Sequence, residues 1–191
     1  DQDILEVARQ CLMEQGTTVS TQFIADKLGV SQATLFKRFG TKIKLLKAAL
    51  SLPIQSSRMM QKIDAPPTDA PVKEQLLEMC SALLQFFDEM IPLWSTLQAA
   101  GVTMPQVVSD DSPPVRVRVG MTKWITQLQK RGKIRQTVEP ESIALALIGA
   151  LQQRPVRKHI IKDVAMSQTD KEYVESIVDV LWRGLSVEEK L

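Results

Sequence analysis

Between positions 29 and 42 the chain reads GVSQATLFKRFGTK, and its side chains divide by chemistry. Gln32 carries a carboxamide, which holds donor and acceptor in one plane. Beside it stand the small residues Ala33 and Thr34 and the ring of Phe36, and Lys37, Arg38 and Lys42 follow with no acid among them. A carboxamide flanked by small side chains can reach base edges in a groove roughly 12 Å wide. Cations beside it can hold phosphate oxygens. Ser20, Ser31 and Thr41 are spaced to cap three successive helices, whose N-terminal N–H groups are themselves anion donors.

The charge pattern extends this reading. After Asp26 the next acid is Asp64, and between them lie Lys27, Lys37, Arg38, Lys42, Lys44, Lys47, Arg58 and Lys62. A solvated helical face mixes signs, and a block of like charge repels itself unless a partner neutralises it. A basic face turned to water is the bland alternative. The whole chain carries a net charge of only +2, so any nucleic-acid surface has to be local.

The elements that must position these groups are helices. Apolar residues recur at i, i+3 and i+4, strict alternation is missing, and the expected class is all-α. Residues 4–15 form one amphipathic stripe stopped by Gly16. Ser20 opens a second helix ending before Gly29, and Ser31 opens a third ending at Gly40. Val19 with Ile24, and Val30 with Leu35, have the spacing of hydrophobic staples. Three short helices in which the last two meet at a tight glycine turn are a helix-turn-helix. Thr41 opens a fourth helix, which Pro53 should kink or end, with helical composition resuming to about Ile63.

Downstream, IDAPPTDAP is expected as a loop. A helix over 72–91 should break at Pro92, with a short helix to about Ala100. Residues 101–114, with Gly101, Pro105, Pro113 and Pro114, read as irregular. Further helices are expected from about Val115 to Arg131, from Pro140 to about Gln153 with Pro155 ending or bending it, and from about Asp170 to Leu185. The domain division is 1–50 for the helix-turn-helix unit and 51–191 for a helical bundle.

The segments DILEVARQCLMEQG, VSTQFIADKLGVSQATLFKRF and TKIKLLKAAL together resemble the signature of the tetracycline-repressor-like (TetR) family of bacterial transcription regulators, over about residues 4–50. By position, the resemblance implies phosphate contacts from Ser20, Thr21, Lys37, Arg38 and Lys42. It implies base readout by Gln22, Gln32, Ala33, Thr34 and Phe36. Phe36 stands where the family usually has Tyr, so a hydroxyl bond to phosphate is lost while apolar contact to a thymine methyl is kept. The implied protein is a homodimeric repressor that binds a palindromic operator on double-stranded DNA and is released by a small, largely apolar effector.

The remainder carries weaker signals. The apolar arc of 72–91 is wider than the roughly 100° that core packing needs. The resemblance implies a ligand pocket in this bundle, with candidates Met79, Leu83, Phe86, Phe87, Met90, Trp94, Met121, Trp124, Ile125 and Leu128. Read bottom-up, each is better explained as core than as ligand-contacting, with the Met and aromatic residues the better pocket candidates. SIALALIGAL, 142–151, is apolar on all sides and must be covered all round, either by a second subunit or as a central core helix. The resemblance makes it and the last helix a dimer interface built from Ile143, Ala146, Leu147, Ala150, Leu151, Val174, Ile177, Val178, Leu181 and Trp182.

Other functions find little support. One His, no H-E-x-x-H, no G-x-S-x-G and no phosphate-cradling glycine loop argue against an enzyme. Cys11 and Cys80 form no metal spacing and read as buried reduced thiols of a cytoplasmic protein; no cofactor or metal is expected. No stretch approaches the roughly 18 apolar residues of a membrane span. The competing reading is a helical ligand-binding or protein-interaction domain whose helix-turn-helix unit no longer holds DNA.

Overall fold

A computed structural model describes residues 2–55, 58–99, 103, 112–163 and 165–185. Among them the chain forms nine α-helices and no strand. They are α1 (Gln2–Gln15), α2 (Thr21–Leu28), α3 (Gln32–Phe39), α4 (Lys42–Gln55), α5 (Arg58–Asp64), α6 (Val72–Ala99), α7 (Pro113–Lys130), α8 (Pro140–Val156) and α9 (Asp170–Leu185). A 3-10 turn, Gly16–Thr18, follows α1, and a π-helical turn, Arg157–Ile161, follows α8.

Two apolar clusters organise these helices. The first joins α1 to α4 and buries Ile4, Ala8, Cys11, Leu12, Val19, Ile24, Ala25, Leu35, Leu45, Leu46 and Ala49. The second is larger, centred on α6 with α5, α7, α8 and α9 around it. Both cysteines are buried free thiols, and burial pushes Cys80 up to about 12, which leaves it protonated and unreactive.

Helix α6 belongs to both clusters. Phe86, Phe87 and Ile91 are buried in the large one, whereas Leu97 is buried in the N-terminal one and Trp94 packs against it. This explains why Pro92 does not break the helix as its residue type suggests. A proline inside a helix costs roughly 3 kcal/mol, but both flanks are pinned by apolar burial, and several buried side chains outweigh that cost. Thr96 donates its hydroxyl to the Pro92 carbonyl at 2.9 Å across the same turn.

The other prolines behave according to position. Helix α4 runs two residues past Pro53, where only the carbonyl of Ala49 loses its donor. Pro113 and Pro114 open α7 instead of lying in an irregular segment, because first-turn N–H groups have no helical partner to lose. The rest of 101–111, Thr103 apart, lies outside the described residues. Past Pro155 the backbone widens into the π turn and stops at Lys162, whose φ is 55°.

Candidate nucleic-acid interface

The corner between α2 and α3 is built by local bonds that the sequence encodes. The Ser20 hydroxyl accepts the Phe23 N–H at 3.0 Å and so starts α2. Gly29 ends it in the left-handed region at φ 65°, and the Val30 N–H closes back on the Ala25 carbonyl at 3.1 Å. Ser31 then accepts the Thr34 N–H at 3.2 Å, and Thr41 accepts the Lys44 N–H at 3.2 Å. Buried Ile24, Ala25 and Leu35 hold the corner from beneath.

This packing turns a defined face of α3 outward. Ala33, Phe36, Lys37 and Arg38 are exposed, and Ser31, Ala33, Thr34, Lys37 and Arg38 line an open surface concavity of about 570 Å³. The Thr34 hydroxyl lies 2.8 Å from that of Ser31. Lys37 and Lys44 are exposed and meet no carboxylate among the described residues. Lys27 and Lys62 are different. Lys27 pairs with Glu14 at 2.8 Å and lies over the Phe23 ring, and Lys62 pairs with Glu78 at 2.7 Å. The hydrogen bond from Lys27 holds the Glu14 carboxyl below its ordinary value, and the same bond raises Lys27. Lys37 and Lys44 thereby place positive charge without a carboxylate partner among the described residues on α3 and the start of α4.

Of the residues expected on DNA, Ser20, Gln22, Ala33, Phe36, Lys37 and Arg38 are exposed, and Gln32, Thr34 and Lys42 are partly buried. Gln22 spends its amide on Asp26 at 2.8 Å along α2. Thr21 departs from the expected phosphate role. It is only 7% exposed, and its hydroxyl accepts the Gln32 amide at 2.5 Å across the corner.

The expected pocket side chains converge on α6 and α7. Met79, Leu83, Phe86, Phe87, Met121, Trp124, Ile125 and Leu128 are buried in the large cluster with Met90 against it, while Trp94 is turned to the N-terminal cluster. Of the residues expected at a subunit interface, Ile143, Leu147, Leu151, Val174 and Val178 are buried in the chain's own core. The outward side of α8 carries Leu145, Ala146 and Gly149, and that of α9 carries Val180. Leu145 is 49% and Val180 72% exposed. Ala150, Ile177, Leu181 and Trp182 are partly buried at the margin. Helix α8 is apolar all round and gives no sign of which side faces inward, so its outward residues were not separable by pattern.

Two features were missed from sequence. Thr169 and Glu172 form a reciprocal capping box at α9: the Thr169 N–H donates to the Glu172 carboxylate at 2.7 Å, and the Glu172 N–H to the Thr169 hydroxyl at 3.2 Å. The first of these bonds holds Glu172 below its ordinary value. The T-x-x-E signature was there to be read. The second is Asp88, which lies 2.8 Å from His159 and 2.9 Å from Lys158 on the π turn, joining α6 to the end of α8. Among the described residues no group of three His, Cys, Asp or Glu could hold a metal, and no helix is long and apolar enough to cross a membrane.

Residues 4–49 match the sequence model of the family described as bacterial regulatory proteins, tetR family. No curated protein matches the chain. Solved structures do. A Mesorhizobium loti protein assigned to the TetR-family transcriptional regulators superposes with a TM-score of 0.73 at 19% identity, over 97% of this chain and 96% of that one. GusR of Salmonella enterica gives 0.68 at 20% identity, over 94% and 92%. A Saccharomonospora viridis protein assigned as a transcriptional regulator, solved in complex with choline, gives 0.67 at 18% identity, over 97% and 96%. The chain thus has the fold of TetR-family transcriptional regulators along its length, and its first helices carry that family's sequence signature.

Proposed function

We propose that this chain is a ligand-responsive transcription regulator that binds a palindromic operator on double-stranded DNA as a homodimer, and that it acts in the cytoplasm as a repressor. The observation that carries this reading is the outer face of α3: small or planar side chains at its start, exposed cations at its end, and no carboxylate paired with Lys37 or Lys44 among the described residues. Residues 1–50 are the reading head and 51–191 the sensing and dimerisation domain. Gln32, Ala33, Thr34 and Phe36 face bases, while Ser20, Lys37, Arg38 and Lys42 hold phosphates.

The homodimer forms through the outward apolar sides of α8 and α9, where Leu145, Ala146, Gly149 and Val180 need cover. A two-fold axis there sets two copies of α3 against successive major grooves, so the operator is a palindrome. The effector is small and largely apolar and enters among the Met and aromatic side chains of α6 and α7. That a structure of this fold was solved with choline bound supports a small-molecule site. The ligand acts by preferring one arrangement of the two clusters, which α6 joins.

The test is binding of the full chain to a random-sequence duplex over a range of salt. The reading expects affinity to fall steeply as counterions compete. Salt-independent binding, or none, would sink it. Genomic footprinting of the bound DNA then yields operator and neighbouring genes together.

A further inference from the structure

Thr21 and Gln32 are the first helical residues of α2 and α3, each directly after its serine cap. The corner brings them together across eleven positions of sequence, with the Gln32 Nε2 donating to the Thr21 hydroxyl oxygen at 2.5 Å. Thr21 is buried. A buried hydroxyl without a partner is costly, and Gln32 supplies that partner. Gln32 itself is half-buried, so part of its carboxamide stays open to solvent.

A carboxamide has one acceptor oxygen and two N–H donors. In the observed orientation one N–H is spent on Thr21. The oxygen Oε1 has no hydrogen-bond partner among the described residues, and the second N–H is also left over. That pair, an acceptor beside a donor, complements the N6 amino group and N7 of adenine in the major groove. A glutamine on a solvated helix visits many rotamers, and holding its side chain in one of them in advance lowers the ordering cost of binding.

We propose that Thr21 is a positioning residue for sequence reading: its buried hydroxyl holds the Gln32 side chain across the corner, with the carboxamide's remaining donor and acceptor left for adenine. This replaces a phosphate contact by the Thr21 side chain, and it rests on the DNA-reading proposal above. Thr21 touches no base. It acts through Gln32.

The test uses the full chain and a library of double-stranded DNA with a randomised tract, sequencing the bound fraction. Wild type, Thr21→Val, Thr21→Ser, Gln32→Ala and the Thr21→Val/Gln32→Ala double variant are compared, with affinity for one random duplex at low salt measured alongside. The expected result is that Thr21→Val and Gln32→Ala lose adenine preference at the same base pairs, by about tenfold in discrimination. Thr21→Ser retains it, and the double variant is no worse than either single one. Should Thr21→Val lower the melting temperature, Thr21→Ala provides the same comparison without a branched side chain in the corner. The proposal is overturned if the hydroxyl-free variants keep the wild-type preference, or if they weaken every sequence alike, as loss of a phosphate contact would. A wild-type chain that enriches no sequence instead overturns the DNA-reading proposal itself, and this one with it.

Discussion

A Cβ placed on Gly120 would stand 2.8 Å from the Cβ of Ile63, closer than packed carbons approach. Helix α7 therefore meets α5 at a point where only hydrogen fits, and Ile63 is buried beneath it. Gly120→Ala is expected to push the two helices apart and destabilise the chain by about 1–3 kcal/mol, the usual cost of overpacking. Urea unfolding of both proteins reads this directly, and equal midpoints would mean that the contact relaxes freely.

Asp88 ties α6 to the π turn and is expected to make stability depend on acid. Burial pushes its carboxyl up, but the hydrogen bonds from Lys158 and His159 outweigh this and hold it below the ordinary value of 3.8. A carboxylate depressed in the folded state stabilises above its unfolded value and loses that contribution as pH falls through the folded one. Asp88→Asn should thus cost on the order of 1 kcal/mol at neutral pH. The gap to wild type should narrow as pH falls below 3.8 and close only beneath the lower value of the folded state. A gap that stays constant into acid would show that Asp88 acts by packing alone.

Lys37 offers a sharper electrostatic test than the helix as a whole, because it is exposed and free of any carboxylate among the described residues. On the proposed reading, Lys37→Ala weakens binding to all duplex sequences equally. The slope of log affinity against log salt falls by about one. A change confined to particular base pairs would move Lys37 from the phosphates to the bases.

The outward faces of α8 and α9 allow self-association to be separated from folding. Leu145 and Val180 contribute little to the chain's own core, so Leu145→Glu with Val180→Glu is expected to leave helix content and unfolding midpoint nearly unchanged. Sedimentation should show wild type as a dimer and the variant as a monomer. A variant that stays dimeric would place the interface elsewhere. Truncating Leu147 or Val178 cannot make this distinction, since both lie within the core and their truncation is expected to destabilise the chain itself.

Much of this molecule is written locally. The caps at Ser20, Ser31 and Thr41, the stop at Gly29, and the staples of Val19 with Ile24 and Val30 with Leu35 all act within a few residues of themselves, where sequence spacing is spatial distance. That is why the helix-turn-helix corner, the outward face of α3 and the start of α9 were legible before any coordinates. The cap by Thr169 and Glu172 is equally local, a T-x-x-E spacing within one helical turn. Pro92 was misjudged for the opposite reason. Its residue type argues for a break, and only the burial of Phe87 and Ile91 before it and Leu97 after it, in two separate cores, decides otherwise.

The sequence by itself determined the helical class, the helix-turn-helix unit and the local sign of its charge, because periodicity, capping and composition are properties of neighbouring residues. Tertiary structure alone decided which side of α8 is buried, because a helix apolar all round has no preferred face until another helix packs on it. It alone gave Asp88 its partners on a turn far along the chain. It also turned the Thr21 hydroxyl inward to Gln32, since the angle at which α2 and α3 cross, set by the core beneath them, determines which atoms of the two helix starts meet.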